Sequence, residues 1–181
     1  MKKTIILTLS ILLCSLYSCK KEDIEPNNQS YTVTQENING VLYSKVEGII
    51  NEDLIFSSDK NWLISGGVFV EENTSLYINE GVTVYADPSL TTFLSIKQGA
   101  KIFAEGSQYN PIVFTPLKDN ATYGDWGGII INGRATINTG LTSEGEGGTG
   151  IYGGNNDDDN SGVIRYVRVE YAGKILGTDN E

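Results

Sequence analysis

Residues 143–162 (SEGEGGTGIYGGNNDDDNSG) hold seven glycines and five acids, and no Lys or Arg occurs between Arg134 and Arg165. Within them, Asp157-x-Asp159-x-Ser161-Gly162 places side-chain oxygens at alternate positions with a glycine at the turn. That is the spacing of the first half of a calcium loop, a hard cation that takes six to eight oxygens. Asn155, Asn156 and Asn160 add neutral donors, but the twelfth position is Arg168 where a bidentate Glu would close the loop. Asp157, Asp159 and Ser161 therefore read either as a Ca²⁺ site or as a solvated acidic loop. Gly145-x-Gly147-x-x-Gly150 matches a dinucleotide pattern only in its letters. No helix follows, and Glu144 and Glu146 would repel a pyrophosphate. Gly147-Gly148-x-Gly150 opens like a calcium-binding nonapeptide, yet Tyr152 stands where Asp belongs and nothing repeats in tandem.

The remaining chemistry is aromatic and acidic. Tyr123, Trp126 and Tyr152 are candidates for stacking on a sugar ring. The glycines around Trp126, in Gly124-Asp125 and Gly127-Gly128, suit a bulky ring packed against a corner, which favours burial with its N–H on a carbonyl. Histidine is absent, which removes His-dependent triads, His-ligated metals and imidazole bases. A formal charge of −10, from 23 acids and 13 Lys+Arg, argues against a nucleic-acid partner, because phosphate binding needs clustered cations. Arg134, Arg165 and Arg168 are expected to pair with local carboxylates.

Short strands must position these residues. Sustained helical spacing is missing beyond the N-terminal apolar run, while period-two patterning recurs at Val68–Val70, Leu76–Ile78, Val82–Val84, Leu94–Ile96, Lys101–Phe103, Ile112–Phe114, Ile129–Ile131 and Tyr166–Val169. Leu76–Asp87 aligns without gaps on Leu94–Glu105, an offset of 18 residues, with Leu, Ile, Gly and Ala identical. Paired short strands with a glycine between them, repeating near every 20 residues, indicate a solenoid. Leu76 and Ile78 are expected to stack over Leu94 and Ile96, with Gly81 and Gly99 at equivalent corners. A β-sandwich would need Asn-Gly hairpins, and neither Asn39-Gly40 nor Asn132-Gly133 is expected to join paired strands. The fold expected is all-β, a right-handed parallel β-helix over residues 46–181.

The N-terminus carries an address. Lys2 and Lys3 precede the apolar run Ile5–Leu16, which is short for a membrane span and reads as a secretion signal over 1–18. Leu16-Tyr17-Ser18-Cys19 resembles the lipobox of bacterial lipoproteins, which implies cleavage before Cys19 and its lipidation. Cleavage removes two lysines and takes the formal charge from −10 to −12, leaving no free thiol. Lys20-Lys21-Glu22-Asp23 resembles the export signal that sends Bacteroidota lipoproteins to the outer face of the outer membrane. Residues 19–45 are expected to be the lipidated Cys and a flexible polar tether.

Several stretches resemble a family of Bacteroidota surface lipoproteins with pectin-lyase-like β-helices. They include Ser75–Val84, Ala100–Gly106, Asn110–Thr115, Gly124–Ala135 and Gly145–Gly173. The resemblance spans about 46–181 and implies a chain that continues for further turns, so truncation after Glu181 is expected. The resemblance supplies no catalytic residues; the function expected is a non-catalytic surface scaffold that contacts a polysaccharide or a surface protein, anchored to the membrane through its lipid, with no required cofactor. The alternative is the N-terminal part of a polysaccharide lyase or hydrolase with catalytic turns beyond residue 181. Asp157 and Asp159 with Arg165 or Lys174 would be nominal lyase residues, and Asp157 with Asp158 a nominal hydrolase pair.

Overall fold

The computed structural model describes residues 31–177. The signal, Cys19 and the charged tetrad after it lie outside the described residues. Among them, fourteen strands form in chain order: β1 (Thr32–Ile38), β2 (Val41–Ile50), β3 (Leu54–Phe56), β4 (Asn61–Val70), β5 (Ser75–Ile78), β6 (Thr83–Ala86), β7 (Phe93–Ile96), β8 (Lys101–Glu105), β9 (Ile112–Pro116), β10 (Gly128–Ile131), β11 (Ser143–Glu144), β12 (Ile151–Tyr152), β13 (Gly162–Arg165) and β14 (Val167–Val169). All ladders are parallel except β1–β2 and the small β11–β12 pair.

The parallel strands coil through three faces. The first face stacks the front halves of β2 and β4 with β6, β9 and β14. The second stacks the back halves of β2 and β4 with β7 and β10. The third stacks β3, β5, β8 and β13. One strand serves two faces in β4, whose register against β2 shifts between Glu47 and Gly48, leaving Gly66 and Gly67 as an irregularity. Turn length grows along the chain: Trp62 pairs with Val84, Val84 with Phe114, but Ile112 with Val167, because residues 132–161 are inserted between β10 and β13.

Alternation decides what each strand buries. Inside run the columns Ile50–Val70–Ile96–Ile131, Leu54–Leu76–Ile102 and Phe56–Ile78–Ala104–Ile164. Leu76, Ile102, Ile50 and Ile96 are at most 1% exposed. Phe56 and Trp62 stack at 4.3 Å, and the Trp62 Nε1 donates to the Ser57 carbonyl. At the last turn the inward positions open: Ile131, Ile164 and Val169 are 41–48% exposed.

Two expectations are corrected here. Leu76 does not stack on Leu94; it lies between Leu54 and Ile102, while Leu94 lies between Val68 and Ile129. The 18-residue repeat marks successive corners of one coil, β5 to β6 and β7 to β8, rather than successive turns. Both corners close with an i→i+3 bond, Val82 N–H to Asn79 O and Ala100 N–H to Lys97 O. Both also place a left-handed glycine third, Gly81 at φ 75° and Gly99 at φ 76°. A third corner, Glu71–Thr74, has Asn73 there at φ 64°.

The tether is the second correction, since its latter part is folded. Thr32–Ile38 and Val41–Ile50 form an antiparallel hairpin in register from Thr32↔Glu47 to Ile38↔Val41. Asn39 (φ 53°) and Gly40 (φ 85°) make its two-residue left-handed turn, so this Asn-Gly pair does join paired strands, contrary to expectation. Lys45 bridges Glu36 and Glu47 at 3.2 and 2.9 Å, and the Gln35 Nε2 donates to the Ser44 hydroxyl.

Leu76→Ala is expected to cost about 2–5 kcal/mol in urea unfolding, because the column cannot close around the missing volume. Outward-facing Lys101→Ala is expected to stay within about 0.5 kcal/mol.

Candidate functional site

The acidic segment belongs to the insertion between β10 and β13, and that insertion is tied down. Its Thr149 carbonyl accepts from the Asn132 Nδ2 at 3.0 Å and from the Ser95 hydroxyl, all three residues being buried. The Gln98 Nε2 donates to the Gly133 and Gly153 carbonyls at 2.9 and 2.6 Å. These contacts seat the loop on the outside of the second face.

The acids then find backbone partners. The Arg134 N–H donates to the Asp159 Oδ2 and the Thr136 N–H to the Asp157 Oδ1, each at 2.8 Å. Bonds from the Thr136 amide and hydroxyl hold the Asp157 carboxyl below its ordinary range. Ser161 passes its carbonyl to the Ile102 N–H at 2.9 Å, where the chain re-enters the third face. Each carboxylate thus gives one oxygen to an amide of the 134–136 segment. No group of three or more His, Cys, Asp or Glu side chains converges among the described residues.

The aromatic candidates separate. Trp126 is fully buried, stacks on Phe114 at 6.3 Å and 10°, and donates its Nε1–H to the Glu170 carbonyl at 2.7 Å. It cannot contact a glycan, so that assignment is corrected; it lies on a core column where its ring excludes water. Tyr123 is 87% exposed on the loop between β9 and β10. Tyr152 lies on β12 and lines an open groove of about 870 Å³ with Ile130, Asn132, Glu146 and Thr149. The two tyrosines sit on different loops.

The cations are engaged as well. Arg165 pairs with Glu105 at 2.8 Å, Arg168 with Glu170, and Arg134 with Glu72. The Lys174 Nζ donates to the Leu90 carbonyl at 2.8 Å. Neither Arg165 nor Lys174 is held against Asp157 or Asp159 as a base would be.

The feature that sequence reading missed is on the third face. Ile55, Tyr77, Phe103 and Val163 occupy one register row, all pointing outward. Tyr77 and Phe103 stack at 5.1 Å and 12°, and Ile55, Tyr77 and Val163 are exposed. With strands about 4.8 Å apart, the row extends roughly 14 Å. Its signal was the apolar residue at the outward position of each strand, which the 18-residue alignment obscured by setting Tyr77 against Ser95.

A three-faced coil of parallel strands defines a β-helix protein. The chain belongs to the family described as pectate-lyase like beta helix domain, whose model matches residues 48–181. No curated protein and no solved structure matches it. Among the described residues no helix is long and apolar enough to cross a membrane.

Acid should loosen the loops that carboxylates hold. The Asp125 carboxyl is lowered by Lys118 and the Thr122 amide, and Asp157 by Thr136. A lowered folded pKa contributes stability present above the unfolded value of about 3.9 and lost as pH falls through the folded one. The urea midpoint is therefore expected to drop below about pH 4. Asp125→Asn and Asp157→Asn should lower it at pH 7 and flatten that acid drop; an unchanged acid profile in both would contradict the assignment.

Proposed function

We propose that the protein is a lipid-anchored surface scaffold of the outer membrane, facing the cell exterior, whose β-helix contacts glycans or surface proteins without catalysing a reaction. The observation that carries this is the outward row Ile55–Tyr77–Phe103–Val163, with its stacked aromatic pair. A flat apolar strip on a rigid sheet matches the C–H faces of a sugar chain or the apolar side of a partner. Lys101 flanks the row, as do Glu105 and Arg165, which pair with each other and add a polar rim. The Leu16–Cys19 motif supports the anchor, and the charged tetrad behind it supports outward export.

A second reading is a β-helix polysaccharide lyase or hydrolase with its catalytic turns beyond residue 181. It is supported by the match of residues 48–181 to a pectate-lyase like beta helix domain. Carboxylates and a Lys or Arg base clustered on one sheet of turns beyond residue 181, with release of unsaturated or reducing ends from polygalacturonate by a chain that carries them, would sink the scaffold reading.

Two measurements test the preferred one. Cys19→Ala should move the protein from the membrane to the soluble fraction, and membrane retention of that variant would remove the anchor. In affinity electrophoresis through xylan, mannan or polygalacturonate gels, retardation by at least one polymer is expected. Tyr77→Ala/Phe103→Ala should weaken it at least about fivefold; equal retardation would move the contact off the third face.

A further inference from the structure

The first face carries a second recess, independent of the aromatic row. In-register outward positions there are Lys45, Leu63, Tyr85 and Thr115. Tyr43 meets Tyr85 edge-to-face at 5.5 Å, and Leu63, although outward, is only 2% exposed beneath this cover. Beside them opens a cleft of about 540 Å³, floored by Tyr43, Tyr85 and Thr115, walled by the 116–121 segment and rimmed by Tyr171.

The wall is preorganised. Asp125 holds the Lys118 Nζ at 2.7 Å with one oxygen and the Thr122 N–H at 2.7 Å with the other. The Leu117 N–H is bonded to the Ala86 carbonyl at 2.8 Å. The rim is strained. Tyr171 adopts φ 57°, a conformation that a bulky side chain rarely takes, and bonds on both sides hold it there: Glu170 N–H to Phe114 O and Gly124 N–H to Ala172 O.

We propose that this cleft is a binding subsite for an uncharged sugar residue. The proposal rests on the reading of the protein as a glycan-contacting scaffold and adds a place and a charge class to it. Tyrosine rings supply apolar surface for sugar C–H groups, while their hydroxyls, Thr115 and the Asn120 amide supply both donors and acceptors. Burial and the neighbouring Tyr85 push the Tyr43 phenol above its ordinary range, so it remains a donor. An anion is disfavoured because Lys118 is neutralised by Asp125, and Asp119 adds a negative charge. An apolar ligand would leave the many polar groups of this lining unpaired.

The test is calorimetric titration of the full chain with cellohexaose, xylohexaose and mannohexaose, with polygalacturonate as the charged comparison. Saturable binding of at least one neutral hexaose is expected, weakened about tenfold or more by Asn120→Ala and by Tyr171→Ala. Asn120 is an exposed loop position, so its variant folds even where Tyr171→Ala does not. Tyr77→Ala/Phe103→Ala should leave this binding unchanged. Absence of saturable binding at about 10 mM hexaose, or tighter binding of polygalacturonate, overturns the proposal. So does a loss confined to the Tyr77/Phe103 variant, which would leave the third-face reading standing. Loss with Asn120→Ala, together with a Tyr77/Phe103 variant silent in the polysaccharide gels, upholds the cleft and sinks the third face.

Discussion

Each outward side chain of this solenoid is held by two things at once, the parallel backbone ladder to the adjacent turn and the inward column behind it. The ladder sets spacing along the coil, and the column sets which face each residue takes, because a slip of one residue would turn Leu76 and Ile102 out to water. The rows that matter for recognition are by-products of that constraint. Tyr77 can stack on Phe103 because Leu76 and Ile78 are locked against Ile102 and Ala104. Tyr85 closes over Leu63 because Val84 and Ala86 are buried beside it.

The period-two texture was legible because burial on one side of a strand writes alternation into sequence. The repeat was visible but misread. Its glycines encode a corner, and one coil uses the same corner between different pairs of faces, so self-similarity at 18 residues measured corner spacing instead of turn length. The β1 strand was invisible for the opposite reason. Its residues are exposed or only half-buried, so no burial pattern distinguishes it from a spacer, and without flanking alternation the Asn39-Gly40 turn was passed over.

The acidic loop shows where local reading ends. Asp157 and Asp159 have the spacing of metal ligands, yet their partners are the amides of Thr136 and Arg134, more than 20 residues earlier in the chain. Such partners become neighbours only when the insertion doubles back on the second face. Trp126 had two readings in the same sense, a sugar platform or, as its flanking glycines favour, a ring packed against a corner. The Glu170 carbonyl, supplied by the following turn, and the Phe114 ring of the preceding strand decide for burial.

The hairpin at the start of the body also sets a length. A tether reaching residue 45 could stretch roughly 90 Å at about 3.5 Å per residue. With Tyr31 already bonded to Ile49, eleven residues separate it from Cys19, and a chain of that length spans at most roughly 40 Å. A lipid on Cys19 would then work as a short mooring. The coil would ride close to the bilayer, its search volume about a quarter of what the longer leash allows. Partners would have to come down to the surface to meet it.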